Sequence, residues 1–128
     1  MAKITGTGTA LVTPFKANGT IDEASLRGLV DWQIKSKIEF LVPCGSTGES
    51  ATMTREERRR VIEIVVDQNS GRVPIIAGTG TNSTFDSLDL THDAKEVGAD
   101  AVLLVGPYYN KPTQEGFYQH FKRIVEEC

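Results

Sequence analysis

The stretch from Val73 to Val105, VPIIAGTGTNSTFDSLDLTHDAKEVGADAVLLV, decides the fold. It opens on an apolar run, Val73–Ala77, that is continuous rather than alternating, as expected of a parallel strand covered on both faces. A Gly/Thr-rich loop follows, Gly78 to Asn82. A segment of helical period then starts near Ser83 or Thr84 and ends at Val97-Gly98, with Leu88, Leu90 and Ala94 facing inward. A second continuous apolar run, Ala101–Val105, completes a strand–loop–helix–strand unit.

The same unit recurs on both sides of this stretch. Thr9–Val12 and Phe40–Val42 are further apolar runs, at a spacing of about 30 residues. The first helix is predicted from about Asp22 to Ser36, its stripe made by Leu26, Leu29, Val30 and Ile34. The second opens on Thr54-Arg55-Glu56-Glu57, a capping box, carries Val61, Ile62, Val65 and Val66, and stops at Gly71. A fourth starts after Pro112-Thr113 and runs through Phe117, Phe121, Ile124 and Val125. Four βα units without insertion are the signature of a parallel α/β protein. By pattern alone, an open doubly wound sheet and half of a barrel are equally admissible. The chain of 128 residues is short for a (βα)8 barrel of about 250 residues.

Composition narrows the function classes. Fourteen Lys+Arg against seventeen Asp+Glu give a net charge of -3, too mild for attraction to nucleic acid or a membrane. No apolar run approaches the roughly 20 residues of a membrane-spanning helix, and Met1 to Thr5 leads into no signal-peptide core. Cys44 and Cys128 form neither a disulfide framework nor a metal-binding spacing. A cytoplasmic protein without metal is the expectation.

In either parallel architecture, ligands bind beyond the carboxyl ends of the strands. Four segments fall there: Thr13-Pro14, Gly45-Ser46-Thr47-Gly48-Glu49, Gly78-Thr79-Gly80-Thr81-Asn82 and Gly106-Pro107-Tyr108-Tyr109-Asn110. The second flanks two hydroxyl residues with glycines, so that N–H and O–H donors can be aimed at one carboxylate or phosphate oxygen. A tight turn with self-capping hydroxyls would read the same way. The third has Ser83 where a dinucleotide fingerprint needs its last glycine. Tyr108 and Tyr109 point to opposite sides of the chain, so one can pack while the other enters a site or meets a neighbouring subunit. His92 and His120 fall mid-helix and read as solvated or capping residues.

Thr13-Pro14-Phe15, Gly45-Ser46-Thr47-Gly48-Glu49-Ser50-Ala51-Thr52, Ile76-Ala77-Gly78-Thr79-Gly80 and Pro107-Tyr108-Tyr109-Asn110-Lys111-Pro112, in this order and spacing, resemble the dihydrodipicolinate synthase family of pyruvate-dependent aldolases. The resemblance covers essentially the whole chain. It implies a (βα)8 TIM barrel, with residues 1–128 as its first four βα units, a half-barrel. It also implies a lyase that condenses pyruvate with aspartate semialdehyde in lysine biosynthesis, the diaminopimelate pathway, through a lysine Schiff base and with no other cofactor. Ser46 and Thr47 match the family's paired threonines. By that match Ser46 belongs to a proton relay, and Thr47, with local N–H groups, binds the substrate carboxylate. Tyr109 matches the relay tyrosine lent across a tight dimer interface, so a homo-oligomer, dimer or tetramer, is expected.

Ser50, Ala51, Asn82, Asp86 and Tyr108 match regulatory positions at that interface. Arg55 and Arg58 stand there too, and two guanidinium groups would repel a cationic amino acid such as lysine. The family's Schiff-base lysine matches a position beyond Cys128. Lys111, which alone among the lysines lies at the carboxyl-end face, reads as a hydrated loop ammonium. The isolated 128 residues are therefore expected to be inactive. Two alternatives remain: an aldolase of the N-acetylneuraminate lyase type, and a non-catalytic half-barrel assembly module.

Overall fold

The computed structural model describes residues 4–128; the Met1–Lys3 segment, part of the N-terminal stretch read as carrying no leader, lies outside them. Strands β1 (Gly8–Ala10), β2 (Phe40–Val42), β3 (Ile76–Gly78) and β4 (Ala101–Leu103) alternate with helices α1 (Glu23–Lys35), α2 (Arg55–Asn69), α3 (Thr84–Glu96) and α4 (Gln114–Glu127). The strands are shorter than the apolar runs predicted for β1, β3 and β4, although single backbone bonds continue past their ends: Leu11 N–H donates to the Val42 carbonyl and Thr79 N–H to that of Leu103.

Strand pairing distinguishes the two architectures that the pattern left open. β1 pairs parallel with β2, Thr9 opposite Leu41, and β3 with β4, Ala77 opposite Val102. A parallel bridge between Leu41 and Ile75 joins the two pairs, and Gly78 N–H donates to the Pro43 carbonyl at 2.9 Å. The spatial order is thus the sequence order, without the reversal of a doubly wound sheet. The helices cover one face in the same order, each packed on the next. This is an arc of barrel wall.

Each helix begins where a side chain can accept from a free backbone N–H. Asp22 caps α1 through the Ser25 N–H, Ser83 caps α3 through Asp86, and Thr113 caps α4 through Gly116. At α2, Thr54 and Glu57 form the reciprocal capping box. α2 ends at Asn69 through a left-handed Ser70, one residue before the predicted stop at Gly71.

The core lies between the wall and its helices. Leu11, Leu41, Ile75 and Ala77 project from the strands onto Leu26, Val30, Val61, Ile62, Ile64, Val65 and Ala94. The opposite, inner face is open: Leu103 and Val12 are each 51% exposed and Val105 43%. Among the described residues no helix is long and apolar enough to cross a membrane.

Three side chains depart from expectation. Val125, among the apolar residues through which the predicted fourth helix runs, is 73% exposed, while His120 is 5% exposed. The buried face of α4 therefore runs through His120 and Ile124. His120 Nδ1 meets Thr84 Oγ1 at 2.9 Å, so its ring is a polar bridge between α3 and α4 rather than a solvated residue. Ile64 joins Val61, Ile62 and Val65, because α2 is flanked by both α1 and α3 and needs a wider apolar stripe.

Candidate functional site

β2 runs through Pro43 and Cys44 to Gly45 and then tightens into a 3-10 turn, Ser46–Gly48, followed by a second, Ser50–Thr52. Glu49 links them in the left-handed region, φ 57°. Gly48 N–H donates to the Gly45 carbonyl and Glu49 N–H to that of Ser46. Neither the N–H groups nor the hydroxyls of Ser46 and Thr47 have a hydrogen-bond partner among the described residues. Both side chains are exposed. The turn therefore presents two N–H and two O–H donors, the preorganised set that a carboxylate needs.

Neighbouring strands hold this turn. Thr13 Oγ1 donates to the Gly48 carbonyl at 2.8 Å, which ties the end of β1 to the turn. Gly78 meets the Cys44–Gly45 backbone so closely that a Cβ there would lie 2.2 Å from the Cys44 oxygen. Next to it, Thr79 and Thr91 share a buried hydrogen bond of 2.9 Å. Thr81 N–H donates to Ser87 Oγ, so the Gly78–Asn82 loop is fixed by hydroxyls. The roles of Thr13, Thr79 and Thr81 were not legible in the sequence, because a threonine beside a turn gives no sign of its distant partner.

A cleft of about 370 Å³ opens beside the turn, with Ser46, Ser50, Ala51, Arg58, Leu103 and Tyr108 in its walls. A smaller one of about 220 Å³ adjoins it, with Arg55, Asp86 and Asp89. Arg58 borders both. Of the candidate regulatory residues, Ser50, Ala51 and Tyr108 thus share the first cleft, while Asp86 faces the second. Asn82 lies in neither, and its carbonyl accepts from Asn110 Nδ2 at 3.3 Å. Tyr109 also stands apart from Ser46 within the chain: it is 94% exposed, on a backbone with φ 69°. Lys111 is exposed, also at positive φ.

The two arginines differ in kind. Arg55 bonds both oxygens of Asp93, at 2.6 and 2.9 Å, and reaches Asp89 at 2.8 Å. Its hydrogen bonds with Asp93 raise its own pKa and lower that of the Asp93 carboxyl. The expectation of two repelling guanidinium groups is corrected on this point, since the charge of Arg55 is already matched. Arg58 is 6% exposed, and burial pulls its pKa below the ordinary value. Its position was readable: residues 58, 61, 62 and 65 fall on one helical face, so a charged side chain sits in the apolar stripe. Beneath it, Cys44 is buried, and desolvation pushes its thiol up to about 12, which leaves it neutral and inert.

The dihydrodipicolinate synthetase family model matches residues 3–128. The 4-hydroxy-tetrahydrodipicolinate synthase of Nitratidesulfovibrio vulgaris (strain DP4) is 57% identical over 125 residues, 98% of this chain and 42% of that protein. The enzyme of the same name from Syntrophus aciditrophicus is 59% identical over 91% of this chain and 40% of its own. Among solved structures, a dihydrodipicolinate synthase from Bacillus anthracis superposes with a TM-score of 0.97 at 52% identity, over 100% of this chain and 44% of its own. A chloride-inhibited dihydrodipicolinate synthase from Acinetobacter baumannii, complexed with pyruvate, gives 0.96 at 49%, over 98% and 43%. The chain therefore spans about two fifths of the length of the relatives it matches, and its arc is part of their TIM barrel.

Proposed function

The chain belongs to the dihydrodipicolinate synthetase family, and from that premise we propose that it supplies the carboxylate-binding loop and part of the proton relay of a pyruvate-dependent lyase. The observation that carries this reading is the turn at Ser46–Thr47, whose two N–H and two O–H groups lack partners among the described residues, with Ser46 bordering an open cleft. The Acinetobacter relative is a complex with pyruvate, a substrate whose carboxylate suits such a cradle.

Thr47 Oγ and the adjacent N–H groups hold the pyruvate carboxylate, and charge-assisted donors of this kind form the stronger hydrogen bonds. Ser46 Oγ, both donor and acceptor, passes a proton along the relay. Tyr109 serves a neighbouring copy. Its exposure and its positive φ, a strained backbone for an aromatic residue, support a side chain held outward for a partner. The protein as a whole condenses pyruvate with aspartate semialdehyde for lysine biosynthesis, as a cytoplasmic homo-oligomer.

The nucleophile comes from outside these 128 residues. A Schiff-base lysine must be desolvated or crowded by charge to attack near neutrality, and Lys111 is exposed. Treating the 128-residue polypeptide with pyruvate and borohydride tests this assignment. The expected mass is unchanged. A reducible adduct that disappears in Lys111→Ala would overturn it.

A further inference from the structure

Asn18 and Gly19 occupy the tip of a hairpin between β1 and α1, outside the candidate site. Phe15 and Ile21 form an antiparallel bridge, and the Lys16 N–H donates to the Thr20 carbonyl at 2.8 Å. The Gly19 N–H closes the turn on the Lys16 carbonyl at 2.9 Å. Residues 15–20 are all exposed.

Asparagine is thermally labile, because the next backbone nitrogen can attack its side-chain carbonyl carbon. Three features favour that attack at Asn18. The attacking residue is glycine, with no Cβ to obstruct a five-membered ring, and an added Cβ would meet nothing within 4 Å, so the tip has room to move. Asn18 Oδ1 accepts from the Thr20 N–H at 3.1 Å and from the Thr20 hydroxyl at 2.8 Å. This oxygen gains negative charge when Cγ becomes tetrahedral, so both donors stabilise the transition state more than the ground state. Asn18 Nδ2, by contrast, has no partner among the described residues and is free to leave. The restraint on the reaction is the Gly19–Lys16 bond, which must open first; it spans an exposed loop tip, where opening costs least.

The other three asparagines lack this combination. Asn69 is buried, with both ends of its amide bonded to Val73. Asn82 precedes Ser83, which has a side chain and whose N–H donates to Thr81 Oγ1 at 3.0 Å. Asn110 precedes Lys111, and its Nδ2 is engaged by the Asn82 carbonyl.

We propose that Asn18 is a site of spontaneous modification that ends as isoaspartate, with Thr20 as the residue that activates it. The Gly19 nitrogen gives up its proton to solvent and bonds to Asn18 Cγ. The Cγ–Nδ2 bond breaks, Nδ2 takes up a proton and ammonia leaves, which closes a succinimide. Water then opens the ring at either carbonyl, giving aspartate or isoaspartate. Both products add a negative charge to the loop after β1, on the carboxyl-end face. Isoaspartate also lengthens the turn by one backbone carbon, out of register with the Phe15–Ile21 bridge. The site does not depend on the lyase reading.

The test ages the purified chain at neutral and at mildly alkaline pH, followed by tryptic digestion and mass spectrometry, with electron-transfer fragmentation to tell isoaspartate from aspartate. Peptide 17–27 should convert to both deamidated forms, isoaspartate in excess, and faster at the higher pH. The peptides carrying Asn69, Asn82 and Asn110 should stay unchanged. Thr20→Val should slow the conversion about twofold to tenfold, the equivalent of one hydrogen bond, and Thr20→Ser, which keeps the hydroxyl, should retain the rate. In urea, where the Thr20 contact is absent, all three chains should react alike. An intact Asn18 after ageing, aspartate without isoaspartate, or a Thr20→Val rate equal to that of the wild type in the folded chain would overturn the proposal.

Discussion

Gly78→Ala tests how the barrel wall positions the cradle. The added Cβ would lie 2.2 Å from the Cys44 oxygen, 2.5 Å from the Cys44 carbonyl carbon and 2.8 Å from the Gly45 nitrogen. All three are backbone atoms, so no flexible side chain can swing aside. The shortest contact falls about 1.2 Å below the 3.4 Å at which ordinary contact begins, and β2 and β3 must separate by a similar amount. Overpacking of this kind costs about 1–3 kcal/mol, and a rigid neighbour favours the upper end. With a urea m-value of about 1–3 kcal/mol/M, the unfolding midpoint followed by circular dichroism should fall by about 1 M. Gly28→Ala is the control. Gly28 lies in α1 with nothing within 4 Å of an added Cβ, so the same methyl should stabilise by about 0.5–1 kcal/mol. Because the displaced atoms lead directly into Ser46, Gly78→Ala should also weaken pyruvate binding. A midpoint unchanged in Gly78→Ala, with pyruvate binding intact, would refute the proposed role of this close approach.

Thr54→Ala removes one half of the α2 capping box and should cost about 1 kcal/mol in urea unfolding, with Thr54→Ser largely neutral. Asp93 has its carboxyl pKa lowered by Arg55, so it contributes stability above the unfolded value of 3.8 that is lost as pH falls below it; acid titration of Asp93→Asn should lack that portion of the loss. Burial lowers the His120 pKa from 6.5, so the unfolded chain takes up the proton first and stability declines as pH falls below about 6.5. His120→Gln should remove that decline in thermal melts. The open inner face, with Val12, Leu103 and Val105, should drive the 128-residue polypeptide to self-associate, and light scattering across a concentration series should show mass rising with concentration.

The sequence pattern carried the four βα units because each obeys two local rules. Continuous apolar runs mark strands covered on both faces, and Asp22, Thr54, Ser83 and Thr113 cap helices within one turn of themselves. Local rules do not encode strand order, which is why the open sheet and the barrel were separated only by the pairing of β1 to β4. The Ser46–Thr47 turn was visible because its glycines are adjacent in the chain. Its support was not, since Thr13 and Gly78 reach it from distant positions. On α4 the mid-helix His120 read as a solvated or capping residue, yet its contact with Thr84 holds it inward.

The central claim, that the Ser46–Thr47 turn is a preformed carboxylate cradle, is most directly tested by a pyruvate titration observed at the backbone amides of residues 45–49. A preformed cradle should give saturable shifts centred on Ser46 and Thr47, with an affinity near millimolar, about 4 kcal/mol. Thr47→Val should diminish them without altering the unfolding midpoint. Amide resonances that stay fixed at high pyruvate would contradict the account.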